Sequence, residues 1–273
     1  MEQTMKKTAL FLSCMALLSC NKKKEKPEVK VTVTEAIPYE SMDKQIACNG
    51  NTYNYNIPVF NSSAEIAGII ENPIKELITK DFIDVTYNRD ASLRSIIEIF
   101  HDRRERVLCN DQKIEGLLSV NTQFITENED FVSYELNYKR GQKQGRLLKT
   151  FLKPELKEIH LSDLIPEKKS QDVMTIFNAN LQQEVANLVT DIPTGDVQNQ
   201  FMEYVRNTAF KFEPKDFETA GLAFDFKGEV TKSLRLSKKI DLPKQFEFLN
   251  DTVIIEIDAY QLTHYLDLSR LIN

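Results

Sequence analysis

Between residues 116 and 152 apolar side chains recur at every second position, and this constrains the chain more than any other stretch of it. Leu118, Val120, Thr122 and Phe124 alternate, Glu127-Asn128-Glu129-Asp130 interrupts with polar residues, and Val132, Tyr134, Leu136 and Tyr138 alternate again. A period of two sends successive side chains to opposite faces of a strand, so the pattern predicts a hairpin. Arg140-Gly141-Gln142-Lys143-Gln144-Gly145-Arg146 supplies a second turn before Leu147-Leu148-Lys149-Thr150-Phe151-Leu152. A three-stranded antiparallel meander is expected.

Helical spacing flanks this meander. Asn49-Gly50-Asn51 is turn chemistry, and the aromatic alternation from Thr52 to Phe60 predicts a strand that Pro58 limits. Ser62-Ser63-Ala64-Glu65 has the capping-box pattern ahead of Ile66, Ile69 and Ile70. Asn72 and Pro73 then read as the N-cap and first position of a second helical segment carrying Ile74, Leu77 and Ile78. Residues 92–108 predict another helix, with Leu93, Ile96, Ile97 and Phe100 inward and His101-Asp102-Arg103-Arg104-Glu105-Arg106 as a solvated face.

Farther on, a long helix is expected over residues 167–190. Strands are expected over 209–214, 222–226 and 252–257, and a terminal helix over 259–268 with Leu262 and Leu266 four apart. Helices and antiparallel strands without a regular βαβ rhythm predict an α+β fold, an antiparallel sheet meander packed against several helices. Tyr53, Tyr55, Tyr134 and Tyr138 read as a core stripe rather than an outward binding platform. At 273 residues the chain is near the limit of a single core.

The N-terminus reads as an address. Lys6 and Lys7 precede an apolar run over residues 9–18, too short to span a bilayer, and the run ends in Leu17-Leu18-Ser19-Cys20. That order is similar to the bacterial lipoprotein cleavage motif, so Cys20 is the expected lipid attachment site and residues 1–19 the signal peptide. Cys14 has the same context but leaves too short an apolar region behind Lys7. Asn21-Lys22-Lys23-Lys24-Glu25-Lys26-Pro27-Glu28 begins a polar tether, and residues 20–47 are assigned to anchor and tether. The folded part is expected to comprise residues 48–152, with helices and the meander, and residues 153–273, a C-terminal α+β part forming one unit with it. Cys48 and Cys109 are then the two remaining thiols, either a disulfide closing a loop of about 60 residues or a buried free pair.

Chemical signatures are sparse. Lys and Arg number 35 against 41 Asp and Glu, a net charge of −6, which argues against a nucleic-acid partner. His101, His160 and His264 share no ligand spacing, Gly numbers 8, and no phosphate-cradling loop, C-x-x-C or G-x-S-x-G is present. Neither a catalytic residue, a metal site nor a cofactor is expected. Glu127-Asn128-Glu129-Asp130 lacks the ligand alternation of a calcium loop and reads as a hairpin turn. His160 beside Asp163 reads as a strand-end histidine.

Phe131-Val132-Ser133-Tyr134-Glu135-Leu136-Asn137-Tyr138, the glycines at 141 and 145, Leu147 to Leu152, and Ile159-His160-Leu161-Ser162-Asp163-Leu164 together resemble a known arrangement. It is similar to the extracytoplasmic domain that accompanies bacterial peptidoglycan deacetylases and forms the sensor part of a lysozyme-responsive anti-sigma factor. Ile57-Pro58-Val59-Phe60, Ile70-Glu71-Asn72, Thr252 to Ile257 and Leu262-Thr263-His264-Tyr265-Leu266 follow the same order. The resemblance runs from about residue 50 to the end and implies a fold and a location. It marks the turn residues Arg140, Gly141, Gln142 and Gly145 as a candidate ligand loop. That turn carries no histidine where the family has one, residues 227–250 lack the family's tyrosine-rich loop, and nothing matches the separate deacetylase domain with its Asp and paired His.

The expectation is therefore a non-enzymatic, lipid-anchored domain of a bacterial cell envelope, at the outer membrane on its periplasmic side or at the cell surface. Its expected partners are the membrane, through the lipid, and an envelope glycan such as peptidoglycan or an envelope protein. The alternative is an envelope hydrolase working through a carboxylate pair that no sequence spacing reveals. A stress sensor like the anti-sigma relative would require a partner to carry its signal inward.

Overall fold

Asn49 and Gly50 both take positive φ, 51° and 76°, and close a two-residue hairpin between β1 (Tyr39–Cys48) and β2 (Asn51–Phe60). Turns of this kind match the twist of paired strands and favour Asn-Gly. A computed structural model describes residues 35–80, 88, 90–110, 116–141, 143–227 and 230–267. The chain divides into Met1–Lys30 and Val31–Asn273, and every described residue belongs to the second unit. Cys20 and Gln142 lie outside the described residues.

β1 corrects the expected boundary at residue 48. Met42 and Ile46 alternate inward and are buried, so the last nine positions assigned to the tether are sheet. Ile37 is buried ahead of it, its N–H donating to the Glu127 carboxylate at 3.0 Å. Pro58 also sits inside β2, opposite Ser41, rather than ending it. β2 meets its other neighbour only at Tyr55–Val120 and Asn56–Asn121, so no ladder bond on that side is lost to the missing N–H.

The meander forms as its period predicts: β3 (Leu117–Glu127), β4 (Phe131–Arg140) and β5 (Lys143–Leu152) pair antiparallel, and β6 (Lys157–Glu158) adds two residues. The sheet order is β1-β2-β3-β4-β5-β6. Only the β2–β3 joint is parallel, and Asn56 reinforces it by accepting from the Thr122 hydroxyl at 3.0 Å through its carbonyl and from the Thr122 N–H through its side chain.

Two helices cover one face. α1 (Ala64–Thr79) starts at Ser63, whose hydroxyl accepts from Ile66 N–H, and α2 (Leu93–Cys109) starts at Ser92 in the same way. Ile70, Ile74, Ile78, Ile96 and Phe100 pack against Ile57, Tyr134 and Leu136. The expected restart at Asn72 does not occur: α1 is one helix with Pro73 inside it. The buried isoleucines at four-residue spacing on both sides of Pro73 hold one axis and offset the single intrahelical bond the proline removes. Arg104 corrects the reading of the charged stretch in α2, since it is buried and lies beside the Tyr55 hydroxyl rather than in solvent. Tyr55 and Tyr134 are core residues as well, with Tyr134 donating to Ile70 O at 3.2 Å.

Glu71 is the buried carboxylate of this layer, 3% exposed, and it accepts from Phe60 N–H at 2.8 Å. Burial raises its pKa above the ordinary carboxylate range, against the opposing pull of that N–H and of Lys75. A raised native pKa means that the folded state holds the proton more tightly. Stability therefore falls as pH rises from the ordinary carboxylate range through the raised value, then levels off. Glu71→Gln keeps the acceptor for Phe60 and has no such fall. Urea midpoints should coincide for the two proteins at acid pH and separate in favour of the variant toward neutrality.

The far face of the meander is covered by a second sheet in the order β7-β8-β9, from β7 (Gly221–Lys227), β8 (Val230–Lys239) and β9 (Thr252–Asp258). β8 has no counterpart among the expected strands. Behind this sheet pack α4 (Ser170–Asn187) and α5 (Asp196–Asn207), while α3 (Leu161–Leu164), α6 (Asp216–Thr219) and α7 (Ala259–Leu262) are single turns. Phe177, Leu181, Phe201, Leu234, Leu236, Ile255 and Phe246 form the core there. Residues 209–214 are not a strand. The N–H groups of Phe210 and Phe212 donate instead to the side-chain amides of Gln182 and Asn178 on α4, so extended backbone is satisfied by a helix rather than by a neighbouring strand. The terminal helix is also shorter than expected, with Leu262 buried and Tyr260 exposed.

β4 is the wall between these layers. Val132, Tyr134 and Leu136 face the helices, while Phe131, Ser133 and Glu135 face the second sheet. Ser133 and Thr150 hydroxyls lie 2.7 Å apart; Thr150 donates to Leu222 O and Ser133 accepts from Phe224 N–H. Gly221 allows the approach, because a Cβ there would stand 3.0 Å from Leu148 O and 2.5 Å from Ser237 Oγ. The architecture is α+β, two sheets with helices on their outer faces.

Candidate functional site

The β4–β5 turn that the resemblance marks is built on two glycines. Gly141 takes φ 58° and donates to Gly116 O at 2.8 Å, and Gly145 lies under the Tyr138 ring, where a Cβ would stand 2.4 Å from Cζ. Arg140 reaches across the cleft, its Nη2 donating to Leu77 O at 3.0 Å in the last turn of α1, where a cation complements the helix dipole. Of the four residues in the candidate loop, Arg140 and Gly145 thus hold the fold, Gly141 sets the turn, and Gln142 lies outside the described residues. Gly145→Ala is expected to lose about 1–3 kcal/mol by forcing the Tyr138 ring aside, read as a lowered urea midpoint with an unchanged slope.

Cys48 and Cys109 are bonded to one another, with Cα atoms 5.5 Å apart, and tie the β1–β2 turn to the end of α2. The neighbouring Asn49 amide donates to both Leu108 O and Cys109 O at 3.3 Å.

One cavity opens beside the turn and a larger one adjoins it. The larger, about 490 Å³, lies between α1 and the β5–β6 edge; Ile69, Pro73, Leu77, Leu147, Phe151 and Leu156 make its apolar floor. Its polar rim is Glu76, Lys80, Lys149 and Glu158, with Lys149 and Glu158 ion-paired. The second, about 380 Å³, is lined by Tyr138, Arg140, Lys143, Lys239, Asp251 and again Lys80. Lys80 at the C-terminal end of α1 therefore joins them. Burial pushes the Tyr138 hydroxyl pKa up, aided by the Asp251 carboxylate and opposed by Arg140 and Lys239, so the ring is encircled by charge. Lys239 stands 3.6 Å from Asp251. Lys80, Lys239 and Asp251 are the cleft residues that sequence reasoning missed. Lys80 lies far along the chain from Lys239 and Asp251, which meet where the ends of β8 and β9 pair, and none carries a local signal.

Elsewhere the polar clusters noted in the sequence do structural work. Glu127 pairs with Lys153, and Asn128 caps the β3–β4 turn by accepting from Asp130 and Phe131 N–H. The His160 backbone N–H donates to Asp163 at 2.8 Å at the start of α3, which is a helix cap and not a catalytic dyad. Among the described residues no group of three His, Cys, Asp or Glu is placed to hold a metal ion, and no helix is long and apolar enough to cross a membrane.

No protein-family model matches the chain, and no curated protein matches it. Among solved structures it is similar to the crystal structure of a DUF3298 family protein from Pseudomonas aeruginosa, at 13% identity and a TM-score of 0.47, over 87% of this chain and 97% of that one.

Proposed function

We propose that the chain is a lipid-anchored, non-catalytic domain of a bacterial cell envelope that binds an envelope glycan or protein in the cleft beside the β4–β5 turn. The observation that carries this reading is the cleft itself: two adjoining cavities with Lys80 common to both. Concave sites of this size, lined by apolar groups with a few charged ones at the rim, are where ligands bind. The Cys48–Cys109 bond suits an oxidising compartment outside the cytoplasm. Lipid on Cys20 accounts for the leader-like first nineteen residues and for an acidic chain being held at a membrane.

Metabolic labelling with a palmitate analogue tests the anchor: label is expected on the wild type and absent from Cys20→Ser, and equal labelling of both would overturn it. Sedimentation of the purified chain with isolated cell-wall glycan, alongside retention on immobilised envelope proteins, tests the binding. Failure in both would remove the binding reading. Glu76 and Glu158 line the same cavity, and this alone favours the hydrolase alternative. Release of soluble fragments from cell-wall glycan, abolished by Glu76→Gln, would select it.

A further inference from the structure

We infer that the ligand of this cleft is an anionic polysaccharide, a linear glycan bearing carboxylate or phosphate groups, laid along a row of cations that continues past Lys239. The inference rests on the binding reading proposed above and specifies its ligand. The chain carries a net charge of −6, yet Lys80, Arg140, Lys143 and Lys239 line the second cavity against only Glu247 and Asp251. Lys80 and Lys143 are exposed and have no ion-pair partner among the described residues.

Lys239 also lines a third cavity, of about 330 Å³, on the other side of the end of β8. Lys211, Lys215 and Lys238 face Glu213 and Asp241 there. Lys215 is paired with Glu213 and Lys238 with Asp216, which leaves Lys211 exposed and without an ion-pair partner among the described residues. Three concavities thus adjoin in sequence, the first and second through Lys80 and the second and third through Lys239, and exposed cations with no ion-pair partner among the described residues recur along them. A local excess of one sign of charge in a concave site raises the concentration of counter-charged ligands there. The second and third cavities are lined mainly by polar and charged groups. The lining of the second holds no buried apolar side chain of the kind on which protein partners spend most of their binding energy. A polymer that repeats one charge per few rings meets such a row with little loss of shape.

The test uses the full-length chain purified in mild detergent, with polygalacturonate, neutral N-acetylglucosamine oligomers and polyglutamate as probes. Polygalacturonate is expected to bind and to release as ionic strength rises, because exposed charge pairs are screened. The double variant Lys80→Gln/Lys143→Gln should weaken it by about tenfold or more with unchanged circular dichroism and melting temperature. Lys211→Gln, confined to the third cavity, should weaken the long polymer and leave a galacturonate trimer unaffected, which reports the extension. Equal binding of the neutral oligomers would overturn the anionic specificity while leaving the envelope-glycan reading standing. Binding of polyglutamate without polygalacturonate would overturn the polysaccharide in favour of an acidic protein. No binding of polygalacturonate, or binding indifferent to salt and to the double variant, would overturn the inference outright.

Discussion

Arg235→Met is expected to cost about 3–5 kcal/mol, the penalty for leaving an ionised carboxylate buried without its cation. The carboxylate is Glu135, whose side chain is 3% exposed on the face of β4 toward the second sheet. Arg235 in β8 donates to it from Nη1 at 2.8 Å and approaches Glu256 at 3.4 Å through Nε. The guanidinium also lies 4.5 Å from the centre of the Phe124 ring, so it packs as well as pairs. Methionine replaces most of the packing and none of the charge. The double variant Arg235→Met/Glu135→Leu should recover most of the loss, because the costly species is the orphaned carboxylate and not the absent pair. Urea unfolding of the two singles and the double forms the cycle. A single variant as stable as wild type, or a double no better than the single, would show that Glu135 is solvated and that the two sheets do not exclude water between them.

Breaking the Cys48–Cys109 bond is the second large effect. The two cysteines are separated by 61 positions, and closing a loop of that size removes about 4 kcal/mol of unfolded-chain entropy in the loop-closure account. Cys48→Ser/Cys109→Ser should lower the melting temperature by about 10 °C or more. A thiol reductant should lower the wild type equally and leave the variant unmoved. The loosening is expected to begin locally, since the bond and the Asn49 amide together hold the end of α2 against the β1–β2 turn. Amide exchange should therefore rise first in the last turn of α2 and the paired ends of β1 and β2. Unchanged melting in reductant would contradict the pairing.

These two sites also mark how far the sequence could be read. Local periodicity carried the meander, because Val132, Tyr134 and Leu136 repeat a pattern that needs no distant partner. The opposite face of the same strand was silent. Ser133 and Glu135 look like ordinary solvent positions, and only the docking of β7 and β8 makes them buried. β8 itself had a signal in Ser233-Leu234-Arg235-Leu236-Ser237, an alternation that was visible but short and flanked by lysines. Residues 209–214 misled for the converse reason: Phe210 and Phe212 alternate as a strand would, yet their N–H groups are taken by Gln182 and Asn178.

The cleft was half legible. Arg140, Gly141 and Gly145 could be found from the turn and from the family it resembles, but a turn does not disclose what stands across from it. Lys80, Lys239 and Asp251 enter through long-range packing of α1, β8 and the segment before β9. The same packing assigns Arg140 to Leu77 O, a role in the fold that its exposed-looking context did not suggest. Charge composition behaved similarly. The total of −6 is read from composition alone, while the local excess of cations around Lys80 and Lys143 emerges only when distant segments are brought together.

The central claim is that the cleft beside the β4–β5 turn binds an envelope ligand, and co-sedimentation with isolated cell-wall glycan tests it most directly. The wild-type chain is expected to pellet with the glycan, and Lys80→Gln/Lys143→Gln to remain in the supernatant while melting at the wild-type temperature. Equal pelleting of the two proteins would show that these lysines do not carry the binding, and a wild-type chain that stays in the supernatant would contradict the account.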